Sequence, residues 1–133
     1  MVLQRDKPIK IWGWADANEN VTISFKGQTK KVKADKSGKW VVALNAEPAG
    51  GPYHLTIKGK NTITLNDILI GEVWVCSGQS NMEWTVRNTN NAEQEIQDAR
   101  YPEIRQFLVQ KSVASSPADD VKGGDWKICS PEN

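Results

Sequence analysis

A chain of 133 residues holds one ordinary domain, or one small domain and part of another, and leaves little room for a complete two-domain enzyme. Its 17 Lys and Arg against 16 Asp and Glu give no basic footprint for nucleic acid or an anionic membrane surface. Two cysteines and one histidine make neither a disulfide framework nor a zinc-ligand set of usual spacing, so no metal is expected, and no apolar run reaches the roughly 18 residues of a membrane-spanning helix.

The N-terminal residues MVLQRDKPIK lack the apolar centre of a signal peptide. From Val21 to Lys26 every second residue is apolar, the period of a strand with one buried and one wet face. The pattern returns at Trp40, Val42 and Leu44, at Tyr53, Leu55 and Ile57, and at Ile63 and Leu65. Turn formers separate these runs at Lys26-Gly27-Gln28, at Asp35 to Gly38 and at Pro48 to Pro52. Closely spaced strands with glycine-bearing turns predict an antiparallel β-sandwich over residues 1–66, with Lys30, Lys31, Lys33 and Lys39 on its solvent face.

At Asp67 the pattern changes. Ile68-Leu69-Ile70 and Val73 to Cys76 are almost unbroken apolar runs, which suits strands covered on both faces in a parallel sheet. Ala92, Ile96 and Ala99 share one helical face between Asn90 or Asn91, either of which can cap the start, and Tyr101-Pro102, which ends the run. Ile104 to Gln110 reads as a further strand. Strand, helix and strand over residues 73–110 predict a right-handed βαβ unit, and residues 67–133 the incomplete start of an α/β domain. The fold class expected is therefore mixed β plus α/β.

The stretch GEVWVCSGQSNMEW, residues 71–84, carries the chemistry. Ser80 lies just past the end of the expected 73–76 strand, where open α/β sheets bind their ligands. A serine at a strand-to-helix turn can project its hydroxyl into a crevice while backbone N–H groups stabilise an oxyanion. Gly78 would let the chain turn tightly and a substrate approach. The pattern is not G-x-S-x-G, since Met82 stands two residues after Ser80, and the tetrapeptide alone is better explained by a polar loop with a capping serine.

DILIGEVWVCSGQSNMEW resembles the first block of the SGNH-type esterases of the sialate O-acetylesterase family. MVLQRDKPIKIWGWA is similar to the β domain that precedes that block, and DWKICSPEN to a segment downstream of it. The resemblance implies a flavodoxin-like SGNH hydrolase domain, of which this chain would hold only the first βαβ unit. It also implies that Ser80 is the catalytic nucleophile and that its backbone N–H is one oxyanion donor. Gly78, Gln79 and Asn81 would shape the turn. The family also uses a later glycine and asparagine as oxyanion donors and an Asp-x-x-His element as base. Gly123-Gly124 matches the glycine, or is a surface turn.

No Asp-x-x-His occurs in this chain, and the only histidine, His54, falls in an alternating strand where it would face solvent. A serine without a general base is a weak nucleophile, so the chain alone is expected to be inactive. Of the six tryptophans, Trp40 and Trp74 fit buried patterns, Trp12 and Trp14 fit either core or sugar stacking, and Trp84 either lines a pocket rim or packs inward. Cys76, among Val73, Trp74 and Val75, is expected to be buried and inert, and its pairing with Cys129 is left open.

Two functions follow. In the first, which the resemblance implies, a serine carbohydrate esterase without cofactor removes O-acetyl groups from sialic acid or related sugars, in an exported protein whose remainder lies beyond Asn133. Its partners would then be the O-acetylated sugar and that remainder. In the second, the β domain is a non-catalytic carbohydrate-binding or scaffolding module.

Overall fold

The computed structural model describes residues 1–133. The chain forms two compact units, Val2–Trp74 and Val75–Asn133, the second also taking in Met1.

The first unit has seven strands: β1 (Val2–Gln4), β2 (Ile9–Trp14), β3 (Asn20–Phe25), β4 (Gln28–Lys33), β5 (Lys39–Leu44), β6 (Gly50–Lys58) and β7 (Thr62–Gly71). Five of them form a sheet in the order β1-β7-β6-β3-β4, and β2 and β5 form an antiparallel pair of their own. The sheet is mixed, because β1 runs parallel to β7 where an antiparallel arrangement is expected throughout. The alternation read in β3 is realised: Val21, Ile23 and Phe25 are buried, with Trp40 and Leu44 of β5 and Leu55 of β6. Lys31, Lys33 and Lys39 are exposed and Lys30 half-buried. Ile63 and Leu65 alternate but stand exposed on β7, so their periodicity does not mark a core face.

The turns have local chemical causes. One oxygen of Asp35 accepts hydrogen bonds from the Ser37 N–H at 2.8 Å, the Ser37 hydroxyl at 2.7 Å and the Lys39 N–H at 3.0 Å, closing the β4–β5 connection. Gly38 completes it with φ +85°, and a Cβ there would collide with the Ala15 carbonyl oxygen. At the β3–β4 turn, Lys26 pairs with Glu47 at 2.8 Å and lies 4.5 Å from the centre of the Tyr53 ring. Gln28 donates to Glu47 and accepts from the Asn45 N–H at 2.8 Å, so this turn is tied to the link between β5 and β6.

The composition break at Asp67 falls inside β7, and the first unit runs on to Trp74, past the boundary near residue 66 that the sequence suggests. Asp67 takes φ +54°, after which Ile68, Leu69 and Ile70 turn into the core of this unit. Their unbroken apolar run reflects burial between β6 and the parallel β1 rather than membership of a second domain. Gln4 then holds the exit, accepting the Val73 N–H at 2.9 Å and donating to Glu72 at 3.0 Å.

The second unit contains two short 3-10 turns (Ser80–Glu83 and Val86–Asn88), the helix α1 (Ala92–Asp98) and an antiparallel pair of β8 (Tyr101–Phe107) and β9 (Trp126–Cys129). The helix falls where the sequence places it, but the strand expected at Ile104 to Gln110 forms three residues earlier, at Tyr101–Phe107. The strand expected at residues 73–76 does not form, for these residues have no partner strand, and Trp74 and Val75 are 82% and 92% exposed. No βαβ unit is therefore present, and β8 pairs only with β9. Asn91 occupies the cap position of α1 in the left-handed region, and its side chain makes no capping hydrogen bond.

Candidate active site

The Ser80 turn is built from its own backbone. Gln79, extended at φ −93° and ψ −156°, leads into the 3-10 turn that Ser80 opens. The Met82 N–H donates to the Gln79 carbonyl at 2.9 Å, and the Trp84 N–H to the Asn81 carbonyl at 3.3 Å. The first N–H groups of a helical turn have no acceptor within it, and neither the N–H nor the hydroxyl of Ser80 is engaged by another residue. Ser80 is an exposed residue. Acyl transfer requires a hydroxyl to attack and a donor to meet the developing oxyanion.

Gly78 has a steric reason. A Cβ at this position would come within 2.7 Å of the Met82 Cγ, which folds back over it as the turn closes. Asn81 and Gln79 supply the turn's carbonyl acceptors, and their side chains are exposed, as is Trp84. Glu83, in the same turn, forms an ion pair with Lys111 that joins the turn to the segment following β8. Nothing in the sequence marks that pair, because its members are separated by 28 positions and belong to no periodic pattern.

The other sequence candidates fall elsewhere. His54 is exposed on β6 of the first unit, where alternation puts it opposite to buried Leu55. Cys76 is exposed rather than buried, because the strand meant to enclose it is not formed; it and Cys129 are free thiols. Trp74 is likewise exposed where burial is expected, whereas Trp40 is buried as read. Gly123 and Gly124 have φ of +69° and +108°, and a Cβ on Gly124 would press within 2.7 Å of the Phe107 ring, so conformation and crowding both call for glycine. That ring packs on Trp126 with centroids 5.4 Å apart. No cluster of His, Cys, Asp and Glu converges to hold a metal ion, and no helix is long and apolar enough to cross a membrane.

The chain is similar to known acetylesterases along essentially its whole length. Its fold matches a crystal structure of a carbohydrate acetylesterase from Xanthomonas citri with a TM-score of 0.97 and 41% identity, over 99% of this chain and 31% of that one. The chain is thus homologous to a segment of a carbohydrate esterase. More particularly, it is a homologue of the sialate O-acetylesterases: it is 38% identical to the rat protein over 98% of its own length and 35% identical to the human protein over its full length. It spans 27% and 28% of the length of those two relatives. No protein-family model matches.

Proposed function

We propose that Ser80 is the nucleophile of an SGNH-type serine esterase that removes O-acetyl groups from sialic acid or a related sugar, and that this chain supplies the nucleophile turn without the base. The observation that carries the reading is the unengaged hydroxyl and N–H of Ser80 at the head of a tight turn, in a chain matched from end to end by sialate O-acetylesterases. In the reaction, the Ser80 Oγ attacks the acetyl carbonyl and loses its proton to a general base. The carbonyl oxygen, now negative, is met by the Ser80 N–H. Collapse expels the sugar hydroxyl, which takes the proton back, and leaves acetyl-Ser80. Water activated by the same base then attacks, releasing acetate and restoring the serine.

In this reading Gly78, Gln79 and Asn81 shape the turn and Trp84, an exposed residue four positions beyond the nucleophile, borders the acyl or sugar site. The base is assigned to residues of a longer protein, since no Asp-x-x-His element occurs here and the single histidine, His54, is an exposed strand residue. Residues 75–133 are read as the opening of an SGNH domain whose sheet is completed by that remainder, and the two sheets of the first unit as a small sandwich. The relatives' substrates make an exported protein the natural setting.

Acetate release from an O-acetylated sialic acid tests this. The chain alone should stay at background, a full-length protein carrying it should turn over, and Ser80→Ala should abolish that turnover. Full activity of the Ser80→Ala protein would refute the assignment.

A further inference from the structure

The outward face of the β2–β5 pair exposes Trp12, Trp14 and Val41. Along β2, Lys10, Trp12 and Trp14 point outward, and along β5, Lys39, Val41 and Ala43 do so. The register sets Trp12 opposite Val41, Trp14 opposite Lys39 and Lys10 opposite Ala43. Directly opposed residues of an antiparallel pair lie on the same face, so the two indoles, Val41 and the two lysines form one continuous ladder. Trp12 and Trp14 are 57% and 55% exposed, and neither ring pairs with another aromatic.

The ladder is stiffened from beneath. Gly13, between the two exposed indoles, is the register partner of Trp40, and a Cβ on Gly13 would lie 2.9 Å from the Trp40 ring. The buried Trp40 indole therefore fills the space a side chain at position 13 would need, and the strand between Trp12 and Trp14 rests on it. A platform held by a packed ring loses little freedom when a ligand lands on it.

Exposed indoles offer apolar faces for the C–H faces of a sugar ring and an N–H for its hydroxyls. Lys10 stands at one end of the ladder, and no acidic residue occupies an outward position on either strand. We propose that this face binds an acidic oligosaccharide, Trp12 and Trp14 stacking on its rings and Lys10 meeting its carboxylate. The choice of a sugar rests on the carbohydrate esterase reading; the aromatic, positively flanked face does not. Such a site would hold glycan by the first unit, whereas Ser80 belongs to the second.

The test is a titration of the isotopically labelled chain, following its six indole N–H signals, with sialyllactose and, separately, with lactose. The signals lost in Trp12→Ala and Trp14→Ala should be those that shift and saturate with sialyllactose, and each variant should weaken binding tenfold or more. Lys10→Gln should weaken it several-fold, added salt should do the same, and lactose should bind several-fold less tightly. An unchanged thermal midpoint will show that the outward substitutions leave the fold intact. Absence of saturable shifts, shifts confined to other tryptophans, equal response to lactose, or shifts produced by raising protein concentration alone would each overturn the proposal. Ser80→Ala should bind sialyllactose as the parent chain does. Acetate release is read in a full-length protein carrying Ser80→Ala and sialyllactose binding in this chain, so the failure of one reading is distinguished from the failure of the other.

Discussion

The two units differ in what they bury. All the fully buried apolar side chains, among them Ile23, Phe25, Leu44, Leu55 and Ile68, belong to residues 2–74, while residues 75–133 have none. The first unit closes its strands around a core and secures its turns with Asp35 and Glu47. The second leaves Trp74's successor Val75, Leu108 and Val113 almost wholly in solvent, and its short helix has no buried residue. The residue assigned as nucleophile thus lies in the part of the chain with the least packing of its own. Burial of apolar surface is the main favourable term in folding, so the second unit should draw its rigidity from other residues of a longer protein.

The largest effect expected is on chemistry. In a full-length protein, Ser80→Ala should lower acetate release by about 10³-fold or more, as loss of a catalytic nucleophile does, while in the isolated chain the same change should be invisible. Next comes stability. Phe25→Ala removes a buried ring and should cost about 3–5 kcal/mol in denaturant unfolding of the chain, enough to threaten the first unit, whereas Trp74→Ala should change it by less than about 0.5 kcal/mol. A large loss from Trp74→Ala would mean that the exposed run contributes packing after all. Gly38→Ala should destabilise by about 1–3 kcal/mol, since it places a side chain at positive φ against a carbonyl.

The smallest effect is on pH dependence. The hydrogen bond from the Ser37 hydroxyl, and then the neighbouring backbone N–H groups, hold the Asp35 carboxyl below its ordinary range. Glu47 is held low by its hydrogen bond with Lys26 and then by Gln28. A carboxyl whose folded pKa is depressed stabilises fully above its unfolded pKa and loses that contribution as pH falls through the folded value. Thermal midpoints should therefore decline on acidification below the ordinary carboxylate range, and Asp35→Asn should flatten the slope. Because Asp35 is exposed and Glu47 half-buried, high salt should shrink the Asp35 contribution more than that of Glu47.

Alternation made much of the first unit legible: Val21, Ile23 and Phe25, or Trp40 and Leu44, can be buried together only on one face of a strand. Continuous apolar runs were less informative. Ile68 to Ile70 and Val73 to Cys76 look alike in sequence, yet the first lies between two strands and the second has none beside it. Neighbours, not composition, decide that difference. The Ser80 turn was visible because Gly78, Ser80 and Asn81 are small and polar after an apolar run, while Glu83–Lys111 and the Trp12–Trp14 ladder depend on tertiary and cross-strand pairing.

The most direct test of the account is to trap the acyl-enzyme. A full-length protein carrying this chain, mixed with an aryl acetate and quenched in acid within its first turnovers, should show one acetyl group on the peptide containing Ser80 and none in the Ser80→Ala variant. An acetyl group on another residue, or undiminished turnover with Ser80 unlabelled, would contradict the assignment of Ser80 as the nucleophile.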